Sequence, residues 1–213
     1  MKPYYSEGGI TLYHGDCRAI APSLEYDAVV SDPPYGMAEN TNRNRFSGPR
    51  VGGGKRWDAP IHDDDKPFDP SPWIDRPSIL WGCNHYAARL PVGSTLVWIK
   101  RNDGAFGSFL SDAELAWRRG GHGVYCYRRV WTGAAGEDAD GVHPCQKPVD
   151  LMRWCVGMVD GVILDPFMGS GTTLVAAKME GREAVGIEIE ERYCEIAANR
   201  LSQGVLDFGG SDA

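Results

Sequence analysis

Apolar runs of strand length, each closed by turn residues, recur along the chain at "GITLYHGD", "YDAVVSDPP", "SILWGC", "STLVWIK", "GVYCYRRVW", "GVILDPF" and "REAVGIEIE". Their length and their Gly, Pro and Asp borders predict seven β-strands. Other stretches carry the helical period. "LMRWCVGMV", with Asp150 placed as its cap and Pro148 just upstream, predicts one helix. Residues 172–180, ending at Gly181, predict a second. Residues 190–201 put Tyr193, Ile196, Ala197 and Leu201 on one face of a third. "DAELAWRRGGHG" reads as a further helix closing in glycine, its Arg118 and Arg119 suited to a helix C-terminus or to a phosphate. Strands alternating with helices predict an α/β fold, with an open, mostly parallel seven-stranded sheet and helices on both faces. No internal repeat is visible, and the tail "DFGGSDA" is expected to fray.

In sheets of this kind ligands gather beyond the carboxyl ends of the strands, beside helix N-termini. Acids stand at four such ends: Asp16 after "LYHG", Asp32 after "AVVS", Asp165 after "GVIL", and Glu188 in "AVGIEIE". Any one of them could be a helix cap, but four together make capping a poor general account. The segment "ILDPFMGSGTTLVAAKMEG" adds a glycine turn. Gly169 and Gly171 permit a tight turn and a close backbone approach, and Thr172 opens a helix whose N-terminus favours an anionic group. The Lys that would complete a P-loop is absent, and Leu174 stands where a dinucleotide fingerprint needs its third glycine. With Glu188 placed to hold ribose hydroxyls, the segment signals an adenosine-bearing cofactor.

Composition bounds the rest. A chain of 213 residues, 42% apolar, can build one sizeable core, and no apolar run approaches the ~20 residues that span a bilayer. One domain over residues 1–213 is expected. "MKPYYSEGG" lacks the features of a secretory signal, so a cytoplasmic location without membrane attachment is expected. Cys17, Cys83, Cys126, Cys145, Cys155 and Cys194 are scattered, which suggests neither a zinc site nor disulfides and fits small buried thiols. The net charge of −7 disfavours a surface that is basic throughout. Residues 40–57 nevertheless carry Arg43, Arg45, Arg50, Lys55 and Arg56 without an acid. Their Gly, Asn and Ser content reads as a mobile basic loop, about 37–67, although a merely solvated linker has the same composition. Seven tryptophans sit mostly in apolar patterns and read as core. His85 and Asn84 follow a strand end, where packing or capping is the plainer role and the lining of a base pocket the sharper one.

Four motifs, "DPPY" at 32–35, "HPCQKP" at 143–148, "DPFMGSGTT" at 165–173 and "GIEIEERY" at 186–193, together resemble the DNA amino-methyltransferases. With the catalytic motif ahead of the glycine turn, the order is similar to that of the circularly permuted beta subgroup. The resemblance implies a Rossmann-like methyltransferase fold that uses S-adenosylmethionine (AdoMet). It implies that Asp165, Phe167, Met168, Gly169, Ser170, Gly171 and Thr172 hold the methionine part, with Lys147 at its carboxylate. It further implies Glu188 on the ribose and Asp16 on the adenine amino group of the cofactor. Asp32, Pro33, Pro34 and Tyr35 form the implied catalytic corner. Asp32 and the Pro33 carbonyl accept the two N–H bonds of a base amine, proline stiffens the turn, and Tyr35 stacks on the extruded base.

The implied activity is methylation of adenine N6 in duplex DNA at a flipped base, since "DPPY" is the commoner form among adenine enzymes. Cytosine N4, an RNA substrate, or a noncatalytic nucleic-acid-binding subunit on the same scaffold are the other readings. A homodimer and a restriction-endonuclease partner fit this subgroup. One departure stands out: the region 132–142, where relatives carry a target-recognition segment, is short and acidic, which shifts recognition to the basic loop with Arg43, Arg45, Arg50, Lys55 and Arg56.

Overall fold

A computed structural model describes residues 1–37, 64–107, 111–130 and 146–203. The strands are β1 (Tyr5–Glu7), β2 (Ile10–His14), β3 (Ala28–Ser31), β4 (Ser78–Trp81), β5 (Gly93–Ile99), β6 (Ala113–Arg128), β7 (Ile163–Asp165) and β8 (Ala184–Glu188). They form one sheet in the order β1-β2-β8-β7-β3-β4-β6-β5. The helices are α1 (Cys17–Ile20), α2 (Val149–Val156), α3 (Thr172–Met179) and α4 (Glu191–Ser202). Short 3-10 turns include Cys83–His85 and Ala87–Arg89.

The centre of the sheet is parallel: β2 pairs with β8, β8 with β7, β7 with β3 and β3 with β4. Every residue of β3, β4 and β7 is buried, which explains why these strands read as unbroken apolar runs rather than alternating ones. On one face, α2, α3 and α4 pack Leu151, Met152, Cys155, Leu174, Ala177, Cys194 and Ala197 against Ile10, Val30, Ile79 and Ile163. On the other, α1 and an aromatic layer of Phe68, Trp73 and Tyr86 cover Val29, Leu80, Leu164 and Ile187.

The α/β class and the mostly parallel sheet stand as expected, with three differences. An eighth strand, β1, adds antiparallel to β2 from "YYSEGG", where no strand was expected. The three longer helices share one face, and the second face is covered by α1, 3-10 turns and aromatic side chains. Finally, "DAELAWRRGGHG" is strand, not helix. It forms the first arm of β6, pairing Trp117 with Leu80 and Ala116 with Trp81 of β4. β5 then lies between the two arms of β6: Ser94 to Ile99 face Arg118 to Ala113 in descending order, and Thr95 to Ile99 face Val124 to Arg128 in ascending order. Helix-forming Glu, Leu and Ala are overruled here by two ladders of backbone hydrogen bonds.

Asp150 is not the cap of α2. Pro148 takes that position, and Asp150 lies in the first turn, where it accepts from the Tyr127 hydroxyl at 3.1 Å and pairs with Arg129 at 2.8 Å. Of the five cysteines among the described residues all are free, and Cys126 on β6 is exposed, against the expectation of burial. No helix among the described residues is long and apolar enough to cross a membrane.

Candidate active site

The sheet reverses its winding between β7 and β3. From β7 the chain passes through α3 to β8 on one side, while β3 leads to β4 on the other. The crevice above this junction is where a ligand meets the carboxyl ends of two strands at once. Here the two candidate motifs touch. Ser31, the last residue of β3, donates its hydroxyl to Asp165 Oδ1 at 2.6 Å, and the same oxygen accepts from Phe167 N at 3.1 Å. One buried carboxylate therefore fixes both the strand that precedes Asp32 and the glycine turn that follows β7. Burial raises the Asp165 carboxyl to about 6, although hydrogen bonds from Ser31, Thr173 and Phe167 N oppose the rise.

In the glycine turn, Gly169 and Gly171 have φ of 51° and 80°, the left-handed region that side chains avoid. A Cβ on Gly171 would also meet Ala197 Cβ of α4 at 2.8 Å, so the start of α3 sits hard against α4. Glu188 accepts from Gly169 N at 3.0 Å and from Glu190 N at 2.8 Å, one bond per oxygen, which links the end of β8 to the turn. Its carboxyl is raised by burial, against the pull of those backbone donors. Arg200 of α4 clamps the turn further, donating to Ser170 O at 2.7 Å and to Thr172 Oγ1 at 3.3 Å. The Phe167 ring packs edge-on against Phe68 and Trp73, and Met168 is buried, so both present backbone rather than side chain to the crevice. Asp16, at the exposed end of β2, caps α1 by accepting from Arg18 N at 2.8 Å through one oxygen.

The second half of the site is the turn after β3. Tyr35 donates to Asp32 Oδ1 at 2.5 Å, and the Lys147 ammonium donates to Asp32 Oδ2 at 2.5 Å and to Tyr35 Oη at 3.1 Å. Lys147 also reaches Glu114 Oε2 at 3.2 Å, and Glu114 Oε1 receives Lys100 at 2.6 Å. Lys147 is only 6% exposed and lies between the rings of Tyr35 and Trp81. Burial would discharge it, yet Asp32 and Glu114 hold its ammonium well above the usual lysine range. Glu114, for which burial acts in the other direction, is held at about 2 by Lys147 and Lys100. The Asp32 carboxyl stands above the ordinary carboxylate value because its burial outweighs the ammonium beside it.

The Tyr35 ring is fixed on two sides. His85 stacks on it with centroids 5.1 Å apart and planes 10° from parallel. Gly82 approaches so closely that a Cβ there would fall 2.0 Å from Tyr35 Cε1. Beyond Tyr35, the buried Asp64 accepts from Gly36 N at 2.8 Å and from Met37 N at 3.3 Å, which ties residue 64 back to the turn after β3.

Asp32, Pro33, Pro34 and Tyr35 therefore lie at the end of β3, beside the turn of Asp165, Phe167, Met168, Gly169, Ser170, Gly171 and Thr172. Lys147 was expected at the carboxylate of the cofactor. Its ammonium faces Asp32, Tyr35 and Glu114 rather than the glycine turn. Arg43, Arg45, Arg50, Lys55 and Arg56 lie outside the described residues, as do positions 132–142 and the start of "HPCQKP". Sequence reading missed Ser31, Glu114, Lys100, Asp64 and Arg200. Ser31 could have been found as the polar residue closing an apolar strand. Glu114 was hidden inside a supposed helix, and nothing local marks Arg200.

A DNA methylase family, the N6/N4 amino-methylases, matches residues 116–199. The chain is 26% identical to the type II methyltransferase M.ScaI of Streptomyces caespitosus, over 94% of this chain and 84% of that protein. It is equally similar to M2.DpnII of Streptococcus pneumoniae, over 94% and 92%. Among solved structures, the M1.HpyAVI–SAM complex superposes with a TM-score of 0.59 at 20% identity, covering 91% of this chain and 99% of that one. The cytosine-N4-specific PvuII DNA methyltransferase gives 0.61 at 15%, covering 99% and 91%, a likeness of fold. The matched segment, the full-length relatives and the shared fold together make this chain similar to the DNA amino-methyltransferases.

Proposed function

We propose that the protein transfers a methyl group from AdoMet to N6 of an adenine everted from duplex DNA. The observation that carries this reading is the Ser31–Asp165 hydrogen bond, which joins the strand ahead of Asp32 to the glycine turn and sets the two half-sites side by side. The crevice residues fit the cofactor. Asp165 and the backbone of 167–172 would surround its methionine part. Glu188 spends one bond per oxygen on backbone N–H groups, which leaves lone pairs for ribose hydroxyls. Asp16 keeps one oxygen clear of its cap for the adenine amino group. When bound, AdoMet supplies a methyl on a positively charged sulfur, so that N–C bond formation as the S–C bond breaks leaves the base nitrogen with one proton to lose.

The chain's own task is to make a poor nucleophile reactive. The lone pair of an exocyclic amine is spread into the ring, and Asp32 with the Pro33 carbonyl would accept its two N–H bonds and localise it. Holding two reactants in line removes about 7–11 kcal/mol of barrier, whereas general-base help is worth on the order of 10²–10⁴ in rate. Asp32 therefore works chiefly as an orienting acceptor, and proton loss follows late. The Tyr35–His85 stack offers the everted base a platform worth about 1–3 kcal/mol, which offsets part of the few kcal/mol of unstacking. Adenine is favoured over cytosine because Asp opens the catalytic motif, where cytosine-N4 enzymes of this family more often carry Ser. The whole chain acts as one methyltransferase domain, with its basic segment 40–57 on DNA phosphates or base edges.

Incubation with AdoMet and unmodified duplex DNA, digestion to nucleosides and mass spectrometry should give N6-methyladenosine in its deoxy form. N4-methylcytosine would redirect the specificity, product from RNA alone would redirect the substrate, and no methylated nucleoside would end the reading. Asp32→Ala should yield no product while AdoMet binding, measured by calorimetry, persists.

A further inference from the structure

The four charged groups around the catalytic turn alternate in sign. Lys100 meets Glu114 at 2.6 Å, Glu114 meets Lys147 at 3.2 Å and Lys147 meets Asp32 at 2.5 Å. An ammonium has three donors, and the three acceptors within reach of Lys147 among the described residues are Asp32 Oδ2, Tyr35 Oη and Glu114 Oε2. Its hydrogen-bonding capacity is therefore matched by the catalytic turn and β6, with nothing left over for a cofactor carboxylate. A buried cation with a single carboxylate partner is poorly held, because desolvation works against both charges. Glu114 supplies the second partner, from the β6 arm that threads between β4 and β5.

We propose that Glu114 is a positioning residue for methyl transfer: it holds the Lys147 ammonium against Asp32, so that the acceptor for the base amine stays ionised and fixed in aim. The proposal rests on the methyltransferase reading above and assigns Lys147 to the acceptor rather than to the cofactor. Among the described residues, the ionisable groups facing Lys147 are Asp32 and Tyr35 after β3, Tyr86 after β4, Glu114 on β6 and Cys155 on α2, with Lys100 behind Glu114. The two acids hold the ammonium charged against the effect of burial. Removing Glu114 weakens that hold, so the lysine loses its proton at a lower pH. Removing Lys147 leaves the half-buried Asp32 without its cation, so Asp32 takes up a proton at a higher pH.

The test compares wild type, Glu114→Gln and Lys147→Met by pH profile and by AdoMet calorimetry. Glu114→Gln should lower kcat by on the order of tenfold, equivalent to about 1.4 kcal/mol. Its alkaline arm should fall at a pH where wild type still works, with the AdoMet Kd unchanged and Glu114→Asp restoring part of the rate. In Lys147→Met the acid arm of kcat/KM should move to higher pH, again with AdoMet binding unchanged, and Glu114→Gln should add little in that background. If either variant loses AdoMet affinity while both arms stay put, the lysine belongs to the cofactor carboxylate and the proposal is overturned. Should Lys147→Met fail to fold, the alkaline arm of Glu114→Gln decides alone. A wild type that yields no methylated nucleoside overturns the methyltransferase reading itself, a result distinct from an active wild type whose variants keep their pH arms.

Discussion

Asp165 shows what a single residue gives up for the site. Its carboxyl is raised to about 6 by burial, against an ordinary value of 3.8, so ionising it costs more in the folded chain than in the unfolded one. A raised folded value contributes stability that is fully present below the unfolded value and is lost as pH rises through about 6. The difference amounts to roughly 3 kcal/mol at most. Asp165→Asn, which keeps an acceptor for Ser31 and Phe167 N, should therefore melt above wild type at pH 7 and lose that advantage towards pH 4, as followed by thermal unfolding across pH. A pH-independent difference between the two proteins would contradict this. A buried acid kept at such a disadvantage is a candidate functional position, and Asp165 was legible in sequence because it ends an apolar run just before a glycine turn.

At the scale of elements, the turn after β4 decides the shape of the catalytic corner. Gly82 has φ of 72° and packs on the Tyr35 ring, and His85 of the same turn stacks on that ring. Gly82→Ala combines a left-handed backbone penalty with a clash at Tyr35. It should destabilise the fold by about 1–3 kcal/mol and displace the tyrosine. Denaturant unfolding together with steady-state kinetics would check this, with methyl transfer falling more than AdoMet binding. The sequence placed β4 and its polar exit but not this packing, since a Gly after a strand says only that the chain turns. The same limit explains β6. "DAELAWRRGG" carries helical propensity, and only the presence of β4 on one side and β5 on the other makes it strand. With that element misread, Glu114 could not be seen as a neighbour of Asp32.

Across the whole molecule, the acidic total of −7 requires that contact with DNA be local. The described chain stops at Met37 and resumes at Asp64, whose carboxylate accepts from Gly36 N and Met37 N. The described residues that flank 38–63 are thus tied to each other. Replacing Arg43, Arg45 and Arg50 with alanine should weaken DNA binding and reduce the slope of log K against log salt by up to about 0.9 for each phosphate that is no longer neutralised. Equilibrium binding in a salt titration measures it, and an unchanged slope would take these arginines off the phosphate backbone.

The order of apolar runs and turn residues was enough to determine the α/β class and the parallel core, because those signals depend on local periodicity and on groups a few positions apart. What only the folded chain decided are the pairings between distant segments. Ser31 meets Asp165 across 134 positions, and Lys147 meets Asp32 across 115. Neither bond has a local signature. Each exists because packing the sheet brings polar groups from distant segments together where they must be satisfied within the protein. The contacts of Lys147 with Asp32 and Glu114 are of the same kind: its charge was evident from the sequence, and its neighbours were fixed by the fold.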